Sequence, residues 1–169
     1  MERAAMKKKV KALLEKIKLI NDTPHSIAMG VTCSVFAAFT PFFFFKTIIA
    51  VVLARLLRGN ITAALITMGL FAILIIIPIA AMYPQYEVGV ILLRTKDEVP
   101  PEIFTSDKLN LTYLWHNMKS VGAPLLVGSL LTSFLLSLAV YPITLNIIIK
   151  IRERMAKKAH TDPIPESVD

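Results

Sequence analysis

No charged side chain occurs between residues 121 and 149, and between residues 26 and 93 only Lys46, Arg55, Arg58 and Glu87 carry charge. An uncharged stretch of about 18 or more apolar residues is long enough to cross the hydrocarbon core of a bilayer. Soluble domains carry roughly a quarter charged residues, whereas this chain has 18% and gathers them at its ends and in one loop. The sequence therefore predicts an all-α polytopic membrane protein.

The net charge of +7 invites a nucleic-acid reading, but the basic residues stand directly beside apolar runs, which is the pattern of cytoplasmic membrane flanks. A single cysteine, Cys33, excludes an internal disulfide and a thiolate metal site. The first apolar run follows a long basic segment and leads to no small-residue cleavage site, so the N-terminus does not read as a cleavable signal.

Residues 1–22 are expected to form a basic amphipathic cytoplasmic helix. Val10, Leu13, Leu14, Ile17 and Ile20 recur at helical spacing among lysines. Such a helix either lies among anionic headgroups or extends into solvent. A single membrane domain is expected over 23–155. Thr23 can cap and Pro24 can start a helix on which Gly30, Ser34 and Ala38 form a stripe of small residues suited to close helix packing. Thr40 and Pro41 repeat the device and predict a second helix ending near Leu57. Gly59 and Asn60 are expected to stop it, since both tolerate left-handed backbone.

An uncharged span is predicted over 61–82, with Pro78 near its far end and Tyr83 and Tyr86 at an interface. A polar loop follows over 83–120, in which 111–118 reads as a short surface helix. The last span is predicted over 121–149, where Ser129, Ser133 and Ser137 make a second small stripe. Lys150, Arg152, Arg154, Lys157 and Lys158 follow it, and a polar tail occupies 156–169.

The central ambiguity is residues 24–58. Each arm is about 16 residues, or roughly 24 Å, short of the roughly 30 Å hydrocarbon core. Arm length favours a broken, re-entrant hairpin over two full crossings. In that topology both termini and every basic cluster are cytoplasmic, and the acidic loop is exported. A four-span arrangement satisfies the charge bias equally but leaves its second crossing too short.

These residues also carry a resemblance. Thr23, Pro24, His25 and Ser26, the small-residue helix after them, Phe39 with Pro41, the leucine-rich arm ending in Arg58, Gly59 and Asn60, and the later Tyr86, Glu87, Val88 and Gly89 together resemble a bacterial integral-membrane family known as domain of unknown function 2062, over residues 20–155. The resemblance implies an inner-membrane protein. It implies an association with envelope lipid chemistry as well, because some members are joined to glycosyltransferase domains acting on lipid-linked sugars. The chain departs from the family pattern where Phe44 and Phe45 replace Gly and a polar residue, and where Phe71, Ala72, Ile73 and Leu74 replace an Asn-Pro-x-Thr motif.

Lys46 is the one charge deep in an apolar run. Intramembrane charges are costly and often functional, and this one can snorkel to an interface or contact a lipid phosphate. With Thr40 and Pro41 at a helix start it makes a candidate anion site. Arg55 and Arg58, three apart on one face, can anchor topology or bind headgroups. No nucleophile–base spacing, metal-ligand set or cofactor motif occurs, so the chain is not read as an enzyme. Two functions are expected: carrier-type handling of an anionic lipid or lipid-linked phosphate, or a non-catalytic scaffold or partner subunit of an envelope complex. Either would work as a homo-oligomer or with a membrane-protein partner, and without nucleic acid.

Overall fold

The computed structural model describes residues 2–18, 20–42, 45–94, 112 and 121–161. The expected surface helix at 111–118, most of the polar loop, and 162–169 of the tail lie outside the described residues. Among those described, every regular element is a helix.

The first helix, α1, spans Glu2–Lys18. Lys8, Lys9, Lys11 and Lys16 are exposed on it while Val10 and Leu13 are half-buried. Helix α2 spans Pro24–Ala38 and begins as its sequence requires: Thr23 Oγ1 accepts from the Ser26 N–H at 3.2 Å, and Pro24 takes the first helical position.

The second Thr-Pro pair behaves differently. Helix α3 spans Lys46–Leu56, starting five residues beyond Pro41, and its N-cap Phe45 supplies no side-chain cap. Thr40 does not open α3. Its hydroxyl donates backwards to Ala37 O at 2.7 Å and so closes α2. A threonine hydroxyl can serve either an orphan N–H or an orphan carbonyl, and here the carbonyl end of α2 claims it. The second arm is therefore 11 residues, or about 17 Å.

Helix α3 ends in a paired-carbonyl stop. Gly59 N–H donates to Ala54 O at 2.7 Å and Arg58 N–H to Arg55 O at 3.3 Å, the two bonds of a Schellman motif. The left-handed residue is Arg58, with φ 55°, and neither Gly59 nor Asn60 has positive φ. Gly59 is needed for space instead: a Cβ there would stand 2.8 Å from Gly30 N. The chain has thus come back to where α2 began, and Asn60 N–H donates to Ser26 O at 2.8 Å. Helix α4 (Ile61–Ile73) starts at this junction, with Asn60 Oδ1 accepting from Ala63 N–H at 2.7 Å.

Small side chains set the spacing of this first group. Ala28, Ser34, Ala37 and Ala38 on α2, Ala50 and Ala54 on α3, and Ala63 and Ala64 on α4 are all buried. Gly30 meets Asn60 O and Ala63, and Ser34 Oγ donates to Ala64 O at 2.7 Å. The Ser34 hydroxyl is satisfied across the helix pair, which matters where no water competes.

After α4 the chain turns at Leu74 and Ile75, resumes as α5 (Ile76–Ala80), turns again at Ala81 and continues as α6 (Met82–Leu93). This corrects the expected loop start at 83. Residues 83–93 are helical, Tyr86 and Gln85 are buried, and the helix stops only at Arg94, which has φ 51°. Pro84 sits in the first turn of α6, where a missing N–H costs nothing, so it starts a helix rather than ending one. Tyr86 packs with Met82, Val121 and Leu125 and is no interfacial anchor.

The last helix, α7, spans Ala123–Thr161 with Pro142 inside it. The expected span at 121–149 is the first part of this rod, and the expected tail is helical to Thr161. At 39 residues it extends about 58 Å. Its beginning packs against α6 and its later part against α2. The serines Ser129, Ser133 and Ser137 are buried within the chain, so neither small-residue stripe is left open for a second copy.

Candidate functional site

Two polar features stand out against the apolar background, at opposite ends of α3. At the start of α2, Asp22 gathers four segments. Its carboxylate accepts from Asn60 Nδ2 at 2.7 Å, from Thr23 N–H at 2.7 Å and from Ser26 Oγ at 2.9 Å. Arg152 of α7 donates to Ile20 O at 3.2 Å and also to Asp22 O. The Asn60 amide, followed by the Thr23 N–H and the Ser26 hydroxyl, holds the Asp22 carboxyl below its usual range. Beside this cluster His25 Nδ1 and Tyr141 OH share a hydrogen bond of 2.6 Å, with their rings edge-on.

None of these residues is among the candidate ligand residues read from sequence, where Thr23, His25, Ser26, Asn60 and Arg152 figure only as cap, motif, stop or basic flank. Their signal was partly present, because an Asp before Thr-Pro with a Ser four positions on is a helix-start pattern. What sequence could not supply was the pairing, since Asn60 and Arg152 lie 38 and 130 residues from Asp22.

At the other end of α3, Lys46 lines a cleft of about 180 Å³. Ala38 and Thr47 line it beside the lysine. Met68, Phe71 and Ala72 of α4, with Ile75, Pro78 and Ile79 beyond it, continue the lining as one stripe at helical spacing. Among the described residues, Lys46 is the only charged one lining it. Lys46 Nζ donates to Ala38 O at 2.9 Å, where a cation meets the negative end of the α2 dipole. Thr40 and Pro41 are buried at this same end.

Arg55 and Arg58 do not join them. Both are exposed, and Arg55 is nine positions along from Lys46, about 13 Å of helix. The named ligand residues thus divide into an apolar cleft with one lysine and a pair of solvent-facing arginines near the Asp22 cluster.

Among the described residues, two helical stretches are long and apolar enough to cross a membrane, Ile76–Leu93 (α5 and α6 taken together) and Ala123–Met155, while Pro24–Ala38 and Ile61–Ile73 are apolar but shorter. Fold and site together define an all-helical protein with bilayer-length apolar helices, one polar cluster tying α2, α4 and α7, and a lysine-bearing cleft. The chain belongs to the bacterial family described as "Uncharacterized protein conserved in bacteria (DUF2062)", whose pattern matches residues 7–157. No curated protein and no solved structure is significantly similar to it.

Proposed function

We propose that this is a multi-pass protein of the bacterial cytoplasmic membrane, with both termini in the cytoplasm, that handles an anionic lipid or lipid-linked phosphate at the Lys46 cleft. The observation that carries the reading is a single ammonium set among aliphatic and aromatic walls. A phosphate on an apolar chain matches both halves of such a site. The outer faces support a lipid environment: Leu56 is 72% exposed, Ile91 73% and Leu138 61%, more apolar surface than a water-soluble monomer usually presents. The lysines of α1 together with Arg55, Arg58 and the basic end of α7 supply a cytoplasmic collar for anionic headgroups.

In this topology α2 and α3 enter and return on one side. Their 15 and 11 residues give about 22 and 17 Å, and the Lys46 end then lies at membrane depth, where irregular backbone is tolerated against protein or a cavity. Cysteine placed at the exposed Phe42 in a Cys33→Ala background tests this. Phe42→Cys should resist an impermeant maleimide from the periplasmic side. Ready labelling from outside, with Arg55→Cys labelled from inside, would mean that the arms span.

Native mass spectrometry in mild detergent tests the site. A polyprenyl-phosphate adduct should be retained by the wild-type protein and lost in Lys46→Leu, with helicity and elution volume unchanged. The absence of any adduct, or one indifferent to Lys46, sinks the proposal. A scaffold role is the second reading, favoured by the internal engagement of the Asp22 cluster and by Lys46 serving as the α2 cap. A partner would then dock on the exposed apolar faces, because the small-residue stripes are already filled.

A further inference from the structure

The rod from 61 to 93 is broken twice, at 74–75 and at 81, and each break precedes a proline. Pro78 has no N–H to offer Leu74 O, which Ile77 N–H takes instead at 3.0 Å in a tighter turn. Pro84 likewise leaves Ala80 O without its helical donor. Packing divides at the same place. Helix α4 packs extensively on α1, α2 and α3, whereas the extensive contacts of α6 are with α7, and α5 touches α6 alone to any extent.

Helix α7 shows a matching division. Val121 and Leu125 near its start pack with α6, while Tyr141, Leu145 and Ile148 pack with α2. Pro142, one residue past Tyr141 and so inside the α2-packed part, removes the bond to Leu138 O. The molecule is thus two packed bodies, α1–α4 with the end of α7, and α6 with its beginning. The connection at 74–81 runs through helix weakened by proline, while α7 carries both packings along one rod.

The Lys46 cleft lies across this division. Its lining joins Met68, Phe71 and Ala72 of α4 to Ile75, Pro78 and Ile79 of the broken segment. We propose that the breaks at 74–75 and 81 form a hinge about which α6 swings with the beginning of α7, shifting Ile75, Pro78 and Ile79 and so opening and closing the Lys46 cleft. Hinges are short element-terminal segments that absorb backbone change between bodies that stay packed. The gating role rests on the lipid-phosphate reading of the cleft, but the hinge does not.

Pulsed electron–electron resonance on spin labels in lipid nanodiscs tests it. One label at the exposed Val52 of α3 and one at the exposed Ile91 of α6 report the distance between bodies, in a Cys33→Ala background. A Val52 and Leu65 pair reports within one body. The inter-body distribution should be broad or two-peaked beside a narrow control. Pro78→Ala, which restores the N–H, should collapse it to one narrow peak shifted by several ångströms. Added polyprenyl phosphate should move the wild-type weights toward one peak.

An inter-body distribution as narrow as the control overturns the hinge, whether or not Pro78→Ala folds. A distribution that responds to Pro78→Ala but not to polyprenyl phosphate keeps the hinge and removes its gating of the cleft. Retention of a Lys46-dependent adduct with static distances keeps the lipid reading and removes the hinge.

Discussion

Gly89→Ala and Gly128→Ala should each destabilise the protein by about 3 kcal/mol, the upper part of the usual range for overpacking a filled interior. The two glycines face one another across α6 and α7. A Cβ on Gly89 would fall on the Pro124 carbonyl and stand 2.9 Å from Pro124 Cα; one on Gly128 would meet the Gln85 carbonyl and stand 2.7 Å from Gly89 N. Every one of these neighbours is backbone, so no side chain can rotate away. The helices must separate, and the buried contacts of Met82, Tyr86, Val121 and Leu125 separate with them.

Thermal unfolding in mild detergent, followed by circular dichroism, measures the effect. Gly69→Ala is the control, because a Cβ there meets nothing within 4 Å. It should be neutral or stabilising by about 0.5–1 kcal/mol, the helical preference of alanine over glycine. The double variant should cost less than the sum of the singles, since helices already parted accept the second methyl freely. Equal behaviour of all three single variants would mean that α6 and α7 do not meet at these glycines.

Asn60→Ala should lower stability by about 2 kcal/mol at neutral pH and by about half that in acid. The side chain does two jobs. Its oxygen caps α4 on Ala63 N–H, and its amide donates to the Asp22 carboxylate. Loss of an N-cap costs about 1 kcal/mol. A hydrogen bond to a charged acceptor adds a similar amount once discounted for the partial exposure of Asp22.

The sign of the pH dependence follows from the direction of the Asp22 shift. Its folded pKa lies below the unfolded value, so the carboxylate contributes stability that is fully present above roughly pH 4. That contribution is lost as pH falls through the folded pKa. The Asn60→Ala penalty should therefore shrink toward the capping share below pH 4, which denaturant titrations at two pH values detect. A penalty independent of pH would show that the amide does not act on the ionised carboxylate.

These residues also mark what sequence can and cannot disclose. The helical class, the start of α2 at Thr23 and Pro24, and the end of α3 near Arg58 follow from local chemistry, and local chemistry was readable. The direction of Thr40 was not, because its hydroxyl suits a helix end as well as a helix start and the choice depends on where α3 can begin. The extension of helix to Leu93 was hidden for a different reason. Tyr83, Pro84 and Tyr86 have interfacial composition, but burial of Tyr86 and Gln85 near α7 outweighs it. The Asp22 cluster was hidden because its partners are distant in sequence, and Arg152 reads as one more basic flank until α7 places it. For the cleft, Lys46 was visible as a lone charge, whereas its walls from 68–79 required the break before Pro78.

The grip of Arg152 on the carbonyls of Ile20 and Asp22 has a consequence for the order of biogenesis. The N-terminal segments leave the ribosome long before residue 152 exists, and chains organise from the N-terminal side as they emerge. During that interval Asp22 is held by Asn60, Ser26 and the Thr23 N–H, without Arg152. The growing chain therefore carries this junction in a half-fastened form, closed by its own first sixty residues, until the last helix packs and fastens it from the opposite end of the sequence.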